Sequence, residues 1–232
     1  MTEVLGPNLF EAVIKEKKAP SMKELQNITR DILKCLRLMK NLGVIHCDLK
    51  PENVLFKSET SKNVKVVDFG SATFIDDNDY DYLQTRPYRA PEISFGCKFD
   101  FTADMWSLGC IIYELITSKV LFNYPTVQEN LVKAFAINKC YTTDLFADGT
   151  KKKRYLTPNG LICNEIGITK NEVKELDIII PKLDFEFLQE LKKFGCDNSL
   201  MDFIEKCLAL DPLCRLTVDE ALEHEFIKKS FN

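Results

Sequence analysis

The sequence predicts a mainly α fold with short β-hairpins, and three observations predict it. Residues 21–42 carry Leu25, Ile28, Ile32, Leu36 and Met39 at three- and four-residue steps, the pattern of an amphipathic helix. Residues 101–117 are apolar on nearly every side, so the helix they form belongs at the centre of the molecule. Strand-like runs are short: Asn53-Val54-Leu55-Phe56 and Val64-Lys65-Val66-Val67, joined by a polar turn. At 232 residues, 45% apolar and 28% charged, the chain has the composition of an ordinary globular protein with room for one large domain or two small ones.

Composition also excludes several function classes. A formal charge of -4 argues against nucleic-acid binding by bulk electrostatics, and no apolar run is long enough to span a bilayer. The first seven residues lack the basic region and apolar core of a secretion signal. The nine cysteines include no Cys-x-x-Cys pair, which suits reduced, buried thiols better than disulfides or zinc. The expected location is intracellular, in the nucleus, the cytoplasm or both.

Each element follows from local signals. Ala12-Val13-Ile14-Lys15 falls in a short helical segment rich in lysine and glutamate, where Lys15 reads as a solvated charge. Ser21 and Glu24 form a capping box that opens the first long helix, and Gly43 closes it. Val44-Ile45 then lead into the loop from His46 to Asn53. The two strand-like runs form a hairpin with Asn53 at one end and Asp68 at the other. Residues 71–85 are polar and acidic. In the apolar helix 101–117, Asp104 becomes a buried charge, tolerable only if backbone N–H groups donate to it. Residues 128–139 and 184–194 read as amphipathic helices with Lys151-Lys152-Lys153-Arg154 in a loop between them, a run read as solvated. Leu200, Phe203, Ile204, Cys207 and Leu208 make another apolar stripe; Asp211-Pro212 breaks it, and Thr217 with Glu220 caps a last helix.

The chemistry concentrates in His46-Cys47-Asp48-Leu49-Lys50-Pro51-Glu52-Asn53, which sets a carboxylate, an ammonium and an amide at fixed offsets. Phosphoryl transfer needs a carboxylate beside the attacking hydroxyl, a cation on the phosphate and an oxygen on a metal ion. Asp48, Lys50 and Asn53 match those parts in type and order. Asp68-Phe69-Gly70 adds a second carboxylate suited to Mg²⁺, and Ala90-Pro91-Glu92 follows. Tyr82 stands four residues before Arg86 and seven before Arg89, so phosphate on Tyr82 would find two guanidinium groups within its own segment.

These motifs, in this order, resemble the large lobe of eukaryotic protein kinases from hinge to last helix. The resemblance implies a mainly α kinase C-terminal lobe over residues 1–232, with the N-terminal lobe absent. No two of the nine glycines stand at Gly-x-Gly spacing, and neither the Gly-rich loop, the strand lysine nor the helix glutamate of the family is found. It further implies that ATP and Mg²⁺ are the cofactors. Glu3 and Leu5 of the hinge, together with Leu55, Asn53 and Asp68, become nucleotide-contacting positions. Asn53 and Asp68 hold the metal, Asp48 and Lys50 are catalytic, and Tyr82, Arg86 and Arg89 are regulatory. His46, Glu92, Asp104 and Arg215 are structural, Glu92 and Arg215 as a buried ion pair. Cys47 before Asp48, and Tyr-x-Tyr-Leu-Gln-Thr-Arg before Tyr88, look like the DYRK and homeodomain-interacting kinases of the CMGC group. Val67 to Phe74 looks equally like the CDC-like (LAMMER) kinases, but Glu129 to Phe135 stand where the LAMMER signature would be, which favours the DYRK-like branch. That branch phosphorylates serine and threonine of protein substrates and its own second tyrosine, here Tyr82. A second reading is a catalytically weak lobe that binds proteins, with a partner covering the face that an N-terminal lobe would occupy.

Overall fold

Ser21 sets the first long helix. Its hydroxyl accepts the Glu24 N–H and the Glu24 carboxylate accepts the Ser21 N–H, a complete capping box, in the computed structural model, which describes residues 3–77, 83–139, 144–155 and 186–230. The helix, α1 (Met22–Asn41), buries Leu25, Ile28, Ile32, Leu33, Leu36 and Met39 along one stripe. It ends where Gly43 takes φ +71°, a turn that L side chains resist. Before it, Phe10–Lys15 form a short π-helical turn with Lys15 exposed.

Two small sheets follow. β1 (Val44–Ile45) pairs antiparallel with β4 (Thr73–Phe74), Val44 opposite Phe74. β2 (Val54–Phe56) pairs antiparallel with β3 (Val64–Val66), Val54 opposite Val66. The hairpin lies where the sequence places it, one residue shorter at each end. Asn53 belongs to a 3-10 turn, Pro51–Asn53.

Helices make up most of the remainder: α2 (Pro91–Phe95), α3 (Thr102–Thr117), α4 (Val127–Ile137), α5 (Lys152–Tyr155), α6 (residues 186–193), α7 (Asn198–Cys207), α8 (Val218–Glu223) and α9 (Glu225–Lys228). Every residue of α3 is buried, as an all-apolar helix demands. α7 lies so close that a Cβ on Gly109 would come within 2.9 Å of the Cys207 Cβ. α1 packs on the other side of the core, against β3 and α8. Thr126–Glu129 and Thr217–Glu220 are two further capping boxes, opening α4 and α8. One expectation needs correcting. The run Lys151–Arg154 is no loop: it enters the one-turn helix α5, because Lys151 N–H and Thr150 N–H donate to the carbonyls of Phe95 and Gly96 and Tyr155 packs edge-on against Phe95.

Candidate active site

The loop from His46 to Asn53 joins β1 to β2 and is fastened from beneath by α3. Asp104, on the first turn of α3, accepts the His46 N–H at 2.7 Å and the Cys47 N–H at 3.1 Å. Burial pushes its carboxyl up, and His46 and the two N–H donors oppose that shift. His46 is fully buried and links two segments: Nε2 lies 3.1 Å from the Val67 carbonyl and Nδ1 accepts the Asp48 N–H at 3.2 Å, so the proton belongs on Nε2. Its ring also meets Phe69 at 5.2 Å. Cys47 holds φ +61° with its thiol buried and driven upward by desolvation and by Asp104. Packed inward, its thiol meets the backbone of Thr73 on β4 and offers no cation to the segment after Asp68.

Asp48 is the focus of the loop. Oδ2 accepts from Lys50 Nζ at 2.7 Å and Asn53 Nδ2 at 3.3 Å, and Oδ1 accepts from the Thr85 hydroxyl at 2.6 Å and its N–H at 3.2 Å. Burial alone would raise this carboxyl, but hydrogen bonds from Lys50 and Thr85 outweigh it and hold it below the ordinary carboxylate range. A carboxylate kept ionised, half-buried and oriented by four donors is suited to receiving or aligning a hydroxyl proton.

Asn53 and Val67, the residue before Asp68, pair across the base of the hairpin. Val67 N–H donates to the Asn53 carbonyl at 2.9 Å, while the Val67 carbonyl faces His46, so the residue before Asp68 is bonded to both ends of the loop. Asp68 takes φ +63°, is exposed, and among the described residues accepts one 3.3 Å bond, from Gly70 N–H. Asn53 uses Nδ2 for both its side-chain bonds, to the Asp48 carbonyl and carboxylate, which leaves Oδ1 for another partner. One free carboxylate and one amide oxygen fit a hard cation such as Mg²⁺ that completes its shell with water and phosphate. No group of three or more His, Cys, Asp or Glu able to hold a metal occurs among the described residues.

The opening segment runs beside β2. Gly6 N–H donates to the Phe56 carbonyl, Phe56 N–H to Pro7, and Asn8 bridges Leu55. Glu3 contacts Lys65 on β3 through its carboxylate, and Leu5 and Leu55 are partly buried along the same edge. Glu3 thus meets Lys65, the residue paired with Leu55 across the hairpin, and Leu5 lies in the same opening segment.

Further along, Gln84 and Thr85 bond to the loop that carries Asp48, and the sequence reading gives neither of them a role. Their placement depends on the backbone of Gln84, at φ +60°, a conformation that residue types alone do not signal. Arg86 donates to the Pro125 carbonyl at 2.7 Å, and Arg89, largely buried, donates to the carbonyls of Leu83 and Gln84. Tyr82 lies outside the described residues. Beneath them Arg215 forms two parallel bonds with Glu92, at 2.6 and 2.9 Å, with both side chains almost completely buried.

Comparison with known proteins gives the family. The family model described as Protein kinase domain matches residues 1–227. The chain is 37% identical over 230 residues to the serine/threonine-protein kinase ppk5 of Schizosaccharomyces pombe, covering 98% of this chain and 26% of that protein. It is 34% identical over 231 residues to human dual specificity tyrosine-phosphorylation-regulated kinase 4, covering 99% and 43%. The crystal structure of a kinase domain superposes with a TM-score of 0.80 at 26% identity, covering 97% of this chain and 71% of that one. The chain spans less than half the length of these curated relatives. With a kinase-domain match along nearly its whole length and DYRK kinases among its relatives, the chain belongs to the protein kinase family and is DYRK-like within it.

Proposed function

We propose that this chain is the hinge and C-terminal lobe of a DYRK-like protein kinase that transfers the γ-phosphoryl group of ATP to serine and threonine hydroxyls of protein substrates, and to its own Tyr82. The observation that carries the reading is the Asp48 carboxylate, held between Lys50, Asn53 and Thr85 with Asp68 at the neighbouring end of the hairpin. Asp48 aligns the incoming hydroxyl and takes its proton as the bond to phosphorus forms. Lys50, 2.7 Å from Asp48, steadies the transferred group. Asn53 and Asp68 would hold Mg²⁺, which would supply positive charge to the phosphates of the nucleotide. Glu3, Leu5 and Leu55 edge the adenine site. Phosphate on Tyr82 is held within its segment by Arg86 and Arg89, since Cys47 offers no guanidinium to it. Intracellular proteins are the expected substrates, and no helix among the described residues is long and apolar enough to cross a membrane.

The test is transfer of labelled phosphate from ATP to a serine- and threonine-rich protein by the parent chain and by Asp48→Asn. Loss of about 10² to 10⁴ in rate supports the reading, since a positioned base contributes that much. Equal rates in the two proteins contradict it. A second reading, a lobe that binds a protein partner and transfers phosphate weakly, is favoured by apolar side chains left bare: Phe69 at 50%, Phe74 at 62% and Val4 at 90% exposed. It predicts self-association or capture of a partner by this face, and a concentrated monomer in light scattering opposes it.

A further inference from the structure

We infer that Gln84 is a positioning residue that locks Thr85 onto Asp48 by tying the end of the segment after Asp68 to the same turn of α3 that holds the catalytic loop. The inference rests on the kinase reading for its consequence and on hydrogen bonds alone for its geometry.

Gln84 is 6% exposed, and its side chain reaches two separate segments. Nε2 donates to the Ala103 carbonyl and to the Ser107 hydroxyl, both at 3.1 Å, and Oε1 accepts the Ala90 N–H at 2.7 Å. Its own N–H donates to the Cys47 carbonyl at 3.0 Å, and its carbonyl receives the Arg89 guanidinium at 2.7 and 3.2 Å. The result is a closed circuit. Asp104 of α3 grips the N–H groups of His46 and Cys47; the Cys47 carbonyl grips Gln84; and the Gln84 amide returns to α3 one residue before Asp104. Thr85, the next residue out of this circuit, donates twice to Asp48 Oδ1.

A glutamine at φ +60° is held against its backbone preference, and such a conformation persists only where its surroundings over-determine it. Here the surroundings are these bonds. The loop and the segment meet through side chains at Thr85, Asp48 and Lys50, and through the backbone where the Cys47 carbonyl accepts the Gln84 N–H, so Gln84 carries the backbone half of that contact. A polar residue that only fills a gap in the core would not need its backbone N–H, backbone carbonyl and side-chain amide all bonded to different elements.

The decisive variant is Gln84→Gly, because glycine accepts φ +60° without strain and so removes the amide while leaving the backbone free to keep its path. Gln84→Gly, Thr85→Ala and the double variant are compared in the full chain, by steady-state kinetics and by amide hydrogen exchange. Gln84→Gly should lower kcat roughly 10- to 100-fold with the KM for ATP changed less than about 3-fold, the signature of lost alignment rather than lost binding. Acting through Thr85, it should add little to Thr85→Ala: the double variant should fall within about 3-fold of the worse single one. Exchange at the Thr85 N–H should accelerate while the His46 and Cys47 N–H groups, held by Asp104, stay protected. Losses that multiply, a kcat unchanged in a variant that melts lower, or an unaltered Thr85 N–H would each overturn the inference. If the parent chain transfers no phosphate, the kinase reading falls by itself and the exchange result alone decides the role of Gln84. Should Gln84→Gly fail to fold, Ser107→Ala removes one of the two acceptors of Nε2 and must accelerate exchange at Thr85 to a smaller degree; no change there refutes the circuit.

Discussion

Replacing Arg215 by alanine should cost the fold far more than it costs the chemistry. The guanidinium makes two bonds to Glu92, at 2.6 and 2.9 Å, and three to backbone carbonyls: Ala209 at 2.9 Å, Thr102 at 3.1 Å and Leu210 at 3.4 Å. It also lies 5.1 Å from the Trp106 ring. With side-chain exposures of 0% for Arg215 and 2% for Glu92, water cannot replace these partners. Removing the cation leaves a buried carboxylate unpaired, which costs about 3 to 5 kcal/mol, a large share of the roughly 5 to 15 kcal/mol that holds a domain together. For a chain of this size each kcal/mol lowers Tm by about 2 to 4 °C, so the melt should fall by roughly 6 to 20 °C. The assay is thermal and urea unfolding followed by circular dichroism. Removing both charges with shape retained, as Glu92→Gln with Arg215→Met, should recover much of the loss, because the penalty lies in the stranded charge. An Arg215→Ala protein within about 1 kcal/mol of the parent would refute the reasoning.

Three further predictions come from other parts of the molecule. Asp104→Ala strands the N–H groups of His46 and Cys47, worth about 1 to 3 kcal/mol each, and should lower the unfolding midpoint while freeing both amides to exchange; continued protection of either would count against its role. Gly109→Ala presses a methyl group to 2.9 Å from the Cys207 Cβ and should cost about 1 to 3 kcal/mol in urea unfolding, whereas a neutral substitution would show that α3 and α7 can separate. Asp197 caps α7 through the Leu200 N–H and pairs with Lys229; burial would raise its carboxyl, but Lys229, Leu200 and Ser199 together pull it to about 2. Because the folded-state value lies below that of the unfolded chain, its contribution is complete above about pH 4 and is lost as pH falls toward 2. The difference in melting temperature between parent and Asp197→Ala should therefore shrink across that window, and a difference constant from pH 5 to pH 2 would contradict the assignment.

What the residue pattern made legible was whatever depends on periodicity or on charge in an apolar setting. The stripe of α1, the Ser21 and Thr217 caps and the hairpin ending at Asn53 follow from neighbours a few residues apart. Asp104 is informative because a carboxylate inside an all-apolar helix must find donors. The pairing of Val44 with Phe74 is invisible in the same way that any two-residue strand is: it has too few residues to alternate, and its partner is distant in the chain. Thr85 and Gln84 are harder still, since a threonine and a glutamine in a polar stretch look solvated until a left-handed turn points them inward. The Lys151–Arg154 run reads as a loop from charge alone, whereas carbonyls at the end of α2 draw the chain into a helical turn.

Under the proposed chemistry Asn53 and Asp68 would together hold one divalent ion. Paramagnetic broadening by Mn²⁺ added with ATP, read residue by residue in the NMR spectrum of the labelled chain, tests it most directly. Broadening centred on Asn53 and Asp68, extending to Asp48 and lost in Asp68→Asn, is the result this account requires. Broadening confined to other acidic residues, or equally strong in the variant, would contradict it.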